Sequence, residues 1–359
     1  MNRLPYTTLT INGQTYDKPA LTELTNNTTD LPAWQQSCYQ FIKDWLSNED
    51  YVEVQTSGST GTPKRIQLEK MRMVNSAKMT GQYFNFSKGQ KALLCLPCDY
   101  IAGKMMVVRA FVWGLDLHLV APTGNPMKDN MEQFRFAAMV PMQVTTVQEE
   151  SPEQFKFLEQ LIIGGGKVGQ ALHKALQPLP TECYATYGMT ETITHIAIQK
   201  LNGRRQSEYF EALPDIQLSL DYRDCLVIEA PQVAEGQVIT NDIVQLEKNQ
   251  FKWLGRFDNV INSGGVKVFP EQIEKKLESI IEVRFFISYL PDEKLGQKVI
   301  LILEDISWSE TQIADFQLKM KKALTKYEQI KAFYFVNSFA ETPTGKIQRN
   351  RTKSLIHLS

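Results

Sequence analysis

Between residues 90 and 186, apolar strand-like runs alternate with helix-like stretches, and this alternation restricts the fold more than any other feature of the chain. Residues 90–96 (QKALLCL) read as a strand, Gly103 to Trp113 as a helix, and Asp116 to Ala121 as a second strand, which together make one βαβ unit. A second unit runs from the strand Gln160 to Ile163 through Gly164-Gly165-Gly166 and a helical stretch ending near Pro178. It closes with the strand Glu182 to Thr186. Such alternation predicts an α/β fold, a parallel sheet covered by helices with ligands at the carboxyl ends of its strands.

Further on, the texture changes twice. From about Asp224 to Trp253 short strands with turn residues (DCLVIEA, QVITNDIVQLE, QFKWLG) suggest an antiparallel or barrel-like section. After Gly255, Pro270 opens a helix (EQIEKKLES) and two strands follow (VRFFISYL, QKVILILE). An amphipathic helix near 309–325, a strand (AFYFVN) and a basic tail complete a small α+β unit. The expected division is therefore 1–255 and 256–359, with the boundary near Arg256–Asn259.

Composition narrows the partners. The 359 residues carry 39 basic and 40 acidic side chains, a net charge of −1. No global field would hold nucleic acid or an anionic membrane, so an anion must be bound by local geometry. The amino terminus lacks an apolar signal core, and Arg109 and Asp116 break the most apolar stretch, Met105 to Val120. No membrane insertion and a cytoplasmic location are the expectations. Five cysteines without framework spacing suit a reducing compartment, and the CxxC of Cys95 and Cys98 lacks the second ligand pair of a zinc site. Two packed residues at the end of a buried strand are the reading for that pair, and a redox pair at a helix start after the strand is the alternative. His118, His173, His195 and His357 show no metal spacing and read as structural.

The strongest local signal is Thr56-Ser57-Gly58-Ser59-Thr60-Gly61-Thr62-Pro63-Lys64, which follows a strand-like VEVQ. Glycines and hydroxyls this dense supply close backbone approach, many donors and a terminal cation, which is what a polyphosphate requires. It is not a strand–GxxxxGK[ST] loop: counted from Gly58, the second glycine falls on Pro63 and the hydroxyl on Arg65. Thr186-Tyr187-Gly188-Met189-Thr190-Glu191 offers an aromatic face, a tight turn, a hydroxyl and one carboxylate at a strand end. Glu191 is thereby a candidate Mg²⁺ ligand beside a polyphosphate. Asn241-Asp242, expected between two strands, would accept hydrogen bonds from ribose hydroxyls. Pro343-Thr344-Gly345-Lys346 adds a lysine on a glycine turn.

In this order these segments resemble the adenylate-forming superfamily of acyl-CoA synthetases, peptide-synthetase adenylation domains and luciferases. TSGSTGTPK looks like its phosphate loop, YGMTE its adenine and magnesium motif, and TNDI its ribose motif. GRFDNVINSGGVKVFPEQIE looks like its hinge and coenzyme A segment, and PTGK its catalytic-lysine motif. The resemblance implies a large amino-terminal domain and a small mobile carboxyl-terminal one. It implies that Ser57, Gly58, Thr60, Gly61 and Lys64 handle the β- and γ-phosphates of ATP, with Thr56 and Ser59 also at the nucleotide. Tyr187, with Gly188 and Met189, would lie against adenine, Thr190 and Glu191 would serve the α-phosphate and Mg²⁺, and Asp242 with Arg256 would hold the ribose. Asp258 would be the hinge, Gly264 and Gly265 would admit the arm of coenzyme A, and Lys346 would bridge the acyl carboxylate and α-phosphate.

Within that superfamily the chain most resembles a short o-succinylbenzoate–CoA ligase of menaquinone biosynthesis. LPCDYIAGKMMVVRAFVWG and LIIGGGKVGQAL look like that family's acyl-binding segments, which places Tyr100, Arg109, Gly164, Gly165 and Gly166 at the acid. Tyr100 stands where the family has His, and Lys167 replaces a usual Pro. Only about 55 residues precede the phosphate loop, so amino-terminal strands of a typical member are either lost or supplied by a partner chain, as in a homo-oligomer. The substrates implied are a carboxylic acid, ATP and coenzyme A. The alternatives are a ligase for another aryl or fatty acid, or a truncated homologue that only binds nucleotide or acyl ligand. Arg109, the cation interrupting the apolar stretch, would meet the second carboxylate of the acid; the alternative is a pair with a core acid.

Overall fold

The computed structural model describes residues 5–55, 65–341 and 347–356. A hairpin of β1 (Leu9–Ile11) and β2 (Gln14–Tyr16) leads into helices α1 (Lys18–Asn26) and α2 (Ala33–Leu46). Asp17 caps α1 by accepting the Ala20 amide at 3.0 Å. Strands β3 (Tyr51–Gln55) and β4 (Arg65–Glu69) pair antiparallel on either side of residues 56–64, and α3 (Lys70–Tyr83) follows.

The alternation read in the sequence takes shape as β5 (Lys91–Leu94), α4 (Ile101–Trp113) and β6 (Asp116–Leu119), and the structure adds a strand and a helix that were not expected, β7 (Phe134–Met139) and α5 (Pro141–Glu150). The alternation continues with β8 (Leu158–Ile163), α6 (Gln170–Leu176) and β9 (Glu182–Gly188). These strands lie in the spatial order β1-β6-β5-β7-β8-β9, each parallel to its neighbour. Their continuous apolar runs are explained by burial on both faces. Along β7 and β8, Phe136, Ala138 and Ile162 join the cluster under α2, α3 and α4, while Ala137, Met139, Leu161 and Ile163 join the cluster under α5 and α6.

The barrel-like alternative for residues 224–253 is corrected. β10 (His195–Lys200), β11 (Phe210–Ala212), β12 (Gln217–Leu220), β13 (Cys225–Glu229), β14 (Gln237–Glu247) and β15 (Gln250–Arg256) extend the same sheet antiparallel. The result is one 13-stranded path with β12 at one edge and β2 at the other, so the antiparallel half of the expectation holds and closure does not. The cause is the tight return after Gly188, which lays β10 directly on β9 and lets the remaining strands add outward.

Beyond Arg256 the hydrogen bonding changes sheet. β16 (Ile261–Ser263), β17 (Val266–Val268), α7 (Pro270–Leu277), β18 (Phe285–Asp292), β19 (Gly296–Glu304), α8 (Glu310–Ala323), β20 (Ala332–Val336) and α9 (Arg349–Lys353) form a five-stranded sheet with helices. It has its own apolar clusters.

All five cysteines are free and buried. Cys95 donates its thiol to the Ala138 carbonyl, and burial pushes that thiol up to about 12, so it packs rather than reacts. Among the described residues no helix is long and apolar enough to cross a membrane, and no group of three His, Cys, Asp or Glu side chains stands ready for a metal ion.

Candidate active site

The parallel strands bring several sequence-predicted residues to one end of the sheet. Tyr100 precedes the first turn of α4 just past β5, with its side chain exposed. Gly164, Gly165 and Gly166 leave the end of β8, where the Gly164 amide donates to the Met139 carbonyl of β7 at 3.1 Å. Beside them Thr186 of β9 donates its hydroxyl to the Ile163 carbonyl at 3.3 Å. Thr186, Tyr187 and Gly188 are thus the last residues of a strand, not a loop after it.

Gly188 is required by packing. A Cβ there would fall 2.1 Å from the Thr194 carbonyl oxygen. Only a glycine lets the chain fold back through the short 3₁₀ turn Thr190–Thr192 into β10. The return is held by Thr192, whose hydroxyl lies 3.2 Å from the Met189 amide and donates to the Thr194 carbonyl at 2.8 Å. Thr190 and Glu191 occupy the tip. Glu191 is exposed and forms no ion pair among the described residues.

The most organised polar cluster surrounds Asp242, which is 7% exposed. Its Oδ2 accepts the Tyr187 hydroxyl at 2.6 Å and its Oδ1 accepts Trp253 Nε1 at 3.1 Å, with Arg256 Nη1 3.6 Å away. Burial, reinforced by the neighbouring carboxylate, pushes the Tyr187 phenol well above its ordinary value, so it remains a donor. The Tyr187 ring packs edge-on against Phe251, centroids 4.9 Å apart. Asn241 and Asp242, expected between two strands, instead sit inside the eleven-residue β14, with Asp242 opposite Arg256 of β15. A register shift after Ile243 interrupts the ladder there, and Arg223, whose Nη1 donates to Asn241 Oδ1 at 2.8 Å, braces the exposed side.

Arg109 lies on α4 and is 2% exposed. Its Nη1 reaches only the Met106 sulfur at 3.6 Å, its Nε has no acceptor, and no acid pairs with it among the described residues. The alternative of a core acid is therefore not realised there. Burial pushes the guanidinium down to about 9, which leaves it a cation at neutral pH. His195 is held well below its ordinary value by burial and by the charge of Arg109, and its Nε2 lies 3.1 Å from the Thr80 hydroxyl. That buried, neutral imidazole agrees with the structural role read for it.

Asp258 stands exposed in the short 3₁₀ turn Phe257–Asn259 between the two sheets, its Oδ2 3.5 Å from Arg256 Nη2 and 3.3 Å from Asn241 Nδ2. Gly264 and Gly265, with φ of 58° and 81°, make the two-residue turn joining β16 and β17, a turn that needs positive φ at both positions. Thr56, Ser57, Gly58, Ser59, Thr60, Gly61, Lys64 and Lys346 lie outside the described residues.

The residues that sequence reasoning missed are Trp253, Arg223 and Glu278. Trp253 had a signal, the one indole in its strand, QFKWLGR. Glu278 had none: its Oε1 lies 2.5 Å from Lys167 Nζ, a partner 111 positions away.

The sequence profile described as AMP-binding enzyme matches residues 8–218. The 2-succinylbenzoate–CoA ligase of Enterococcus faecalis is 24% identical over 82% of this chain and 67% of its own length. That of Staphylococcus epidermidis is 24% identical over 92% and 74%. The chain thus spans about two thirds to three quarters of these curated relatives. A solved acyl-CoA synthetase (AMP-forming)/AMP-acid ligase II-like protein from Dyadobacter fermentans is 36% identical, with a TM-score of 0.64 over 95% of this chain and 99% of its own. The Bacillus subtilis o-succinylbenzoate CoA synthetase bound to its acyl-adenylate intermediate shares the fold, at 21% identity and a TM-score of 0.69 over 84% of this chain and 68% of its own.

Proposed function

Because the chain belongs to the AMP-binding enzyme family, we propose that it is an ATP-dependent acid–CoA ligase and that its acid is o-succinylbenzoate. The observation that carries the nucleotide reading is the Asp242 cluster, where a buried carboxylate is oriented by Tyr187, Trp253 and Arg256. The relatives named above supply the acid, and the unpaired Arg109 supplies a physical reason for a substrate with two carboxylates. Residues 1–255 would form the nucleotide- and acid-binding domain and residues 256–359 a mobile lid.

The chemistry follows from charge. A carboxylate must attack the α-phosphate of ATP, anion on anion, so the barrier falls when fixed donors and cations meet the developing charge. Asp242 and Arg256 would hold the ribose, Tyr187 would lie against the adenine, and Thr190 and Lys346 would serve the α-phosphate. Lys64 and the loop before it would neutralise the departing pyrophosphate. The acyl-adenylate then passes its acyl group to the thiolate of coenzyme A, releasing AMP, and no covalent enzyme intermediate is needed.

Mg²⁺ fits this site on one observation: Glu191 is an exposed carboxylate with no cationic partner among the described residues, and no multi-carboxylate cage competes with it. Mg²⁺ takes one or two carboxylates and fills its shell with phosphate oxygens and water. When bound, it would screen the phosphate charge. Glu191→Gln is expected to lower turnover and raise the Mg²⁺ concentration needed for half-maximal rate, because an amide is a poorer ligand for a hard cation. An unchanged magnesium titration would remove Glu191 from the metal.

A panel of acids supplied with ATP, Mg²⁺ and coenzyme A, read by product mass, tests the assignment. o-Succinylbenzoate should give the highest kcat/KM. Faster use of another aryl or fatty acid would reassign the substrate. Since the chain spans only part of its curated relatives, a second reading is a module that binds nucleotide without turnover. Absence of ATP–pyrophosphate exchange with every acid would favour that second reading. The match to the Dyadobacter protein extends over 99% of that chain.

A further inference from the structure

Helix α7 and the residue after it meet the amino-terminal part at several points, among them Lys275 Nζ, which lies 3.6 Å from Glu208 Oε1. Near the start of the helix, Gln272 Nε2 donates to the Leu254 carbonyl at 2.7 Å, and the buried Glu271 lies against Gly255 and accepts Asn259 Nδ2 at 2.5 Å. These contacts sit beside the Phe257–Asn259 turn. Glu278 lies just past the other end of α7, about 10 Å further along at 1.5 Å per residue. There its Oε1 lies 2.5 Å from Lys167 Nζ and its Oε2 accepts the Gln170 amide at 2.8 Å. Lys167 follows Gly166 directly, so this carboxylate grips the segment that leaves the end of β8. Ile347, the residue after Lys346, lines a cavity together with Glu278 and Arg284.

We propose that the contacts of Glu278 with Lys167 and Gln170 form an orientation-specific clamp, which holds the carboxyl-terminal part against the triple-glycine segment during adenylate formation and must open before thioester formation. The proposal rests on the ligase reading above and goes beyond it in assigning Lys167 and Glu278 as positioning residues. A rotation about residues 257–259 displaces groups in proportion to their distance from the turn. Contacts at Gln272 and Glu271 then shift little, whereas those of Glu278 break. One carboxylate shared by an ammonium and a backbone N–H is a charge-assisted site stronger than a lone surface pair. The Lys167 and Glu278 side chains are 48% and 24% exposed, so the clamp is weak enough to open in each cycle.

Lys167→Glu should therefore slow ATP–pyrophosphate exchange about two- to fivefold while thioester formation from supplied acyl-adenylate and coenzyme A is unchanged or faster. Lys167→Arg should retain the exchange rate, and the reversed pair Lys167→Glu with Glu278→Lys should recover most of it. Equal loss of both half-reactions, or no recovery in the reversed pair, would overturn the clamp. Amide hydrogen exchange at Gln170 decides the contact without any turnover: Glu278→Ala should accelerate it about tenfold or more, and an unchanged rate would sink the proposal. If the wild type shows no pyrophosphate exchange with any acid, the ligase reading fails, while the Gln170 amide still reports whether the clamp forms.

Discussion

Lys346→Ala is expected to lose about 10²- to 10³-fold of ATP–pyrophosphate exchange, the usual cost of removing one donor aimed at developing charge. The same variant should convert a supplied acyl-adenylate and coenzyme A to thioester at close to the wild-type rate. The asymmetry follows from the two half-reactions. Adenylation joins two anions at the α-phosphate, where the proposed lysine supplies a positive charge. Thiolysis attacks an acyl carbon, and the adenylate leaves already carrying its phosphate charge. In the proposed cycle the second step uses a different orientation of residues 256–359, with Gly264 and Gly265 at the crevice. The backbone of residues 257–259 would absorb the rotation. Equal loss of both half-reactions would reject domain alternation and place Lys346 in a role common to both steps. Supplying the adenylate directly, and measuring the two rates on one preparation, separates these outcomes from a folding defect.

Arg109→Leu should raise the KM for o-succinylbenzoate by about 30-fold or more, because truncating one partner of a buried charge pair costs about 2–5 kcal/mol. An acid with a single carboxylate should be affected far less. Thermal stability supplies the second readout. The guanidinium is 2% exposed and meets no acid among the described residues. Leucine then removes a desolvated charge without stranding a partner, so Tm should hold or rise. A fall in Tm with equal rises in KM for both acids would make Arg109 a structural residue. Depletion of the diacid's advantage with an unchanged Tm would establish the specificity role.

Much of the parallel sheet was legible in the sequence because burial on two faces leaves a local trace. The strand pattern of β5, β6, β8 and β9, broken by Gly164-Gly165-Gly166, is readable from apolar runs and turn residues alone. The helices α1 and α2 were not read, although α2 runs fourteen residues and buries Cys38, Tyr39, Phe41, Ile42 and Trp45. Asn241 and Asp242 were misplaced for a definite reason. Both types favour turns over strands, yet here Arg223, Tyr187, Trp253 and Arg256 satisfy their side chains and hold them within β14.

What the sequence determined by itself is the α/β class, the order of the motifs and the chemical types available at each, because strand period, turn residues and charge are local properties. Only the tertiary structure decided that Asp242 is held by three side chains from two other strands, β9 and β15. It alone decided that Arg109 meets no acid among the described residues, and that Glu278 grips Lys167 across 111 positions. Those facts depend on strand register and on how one sheet docks against another. Register and docking are set by summed packing over distant segments, and a sum of that kind leaves no trace at any single position.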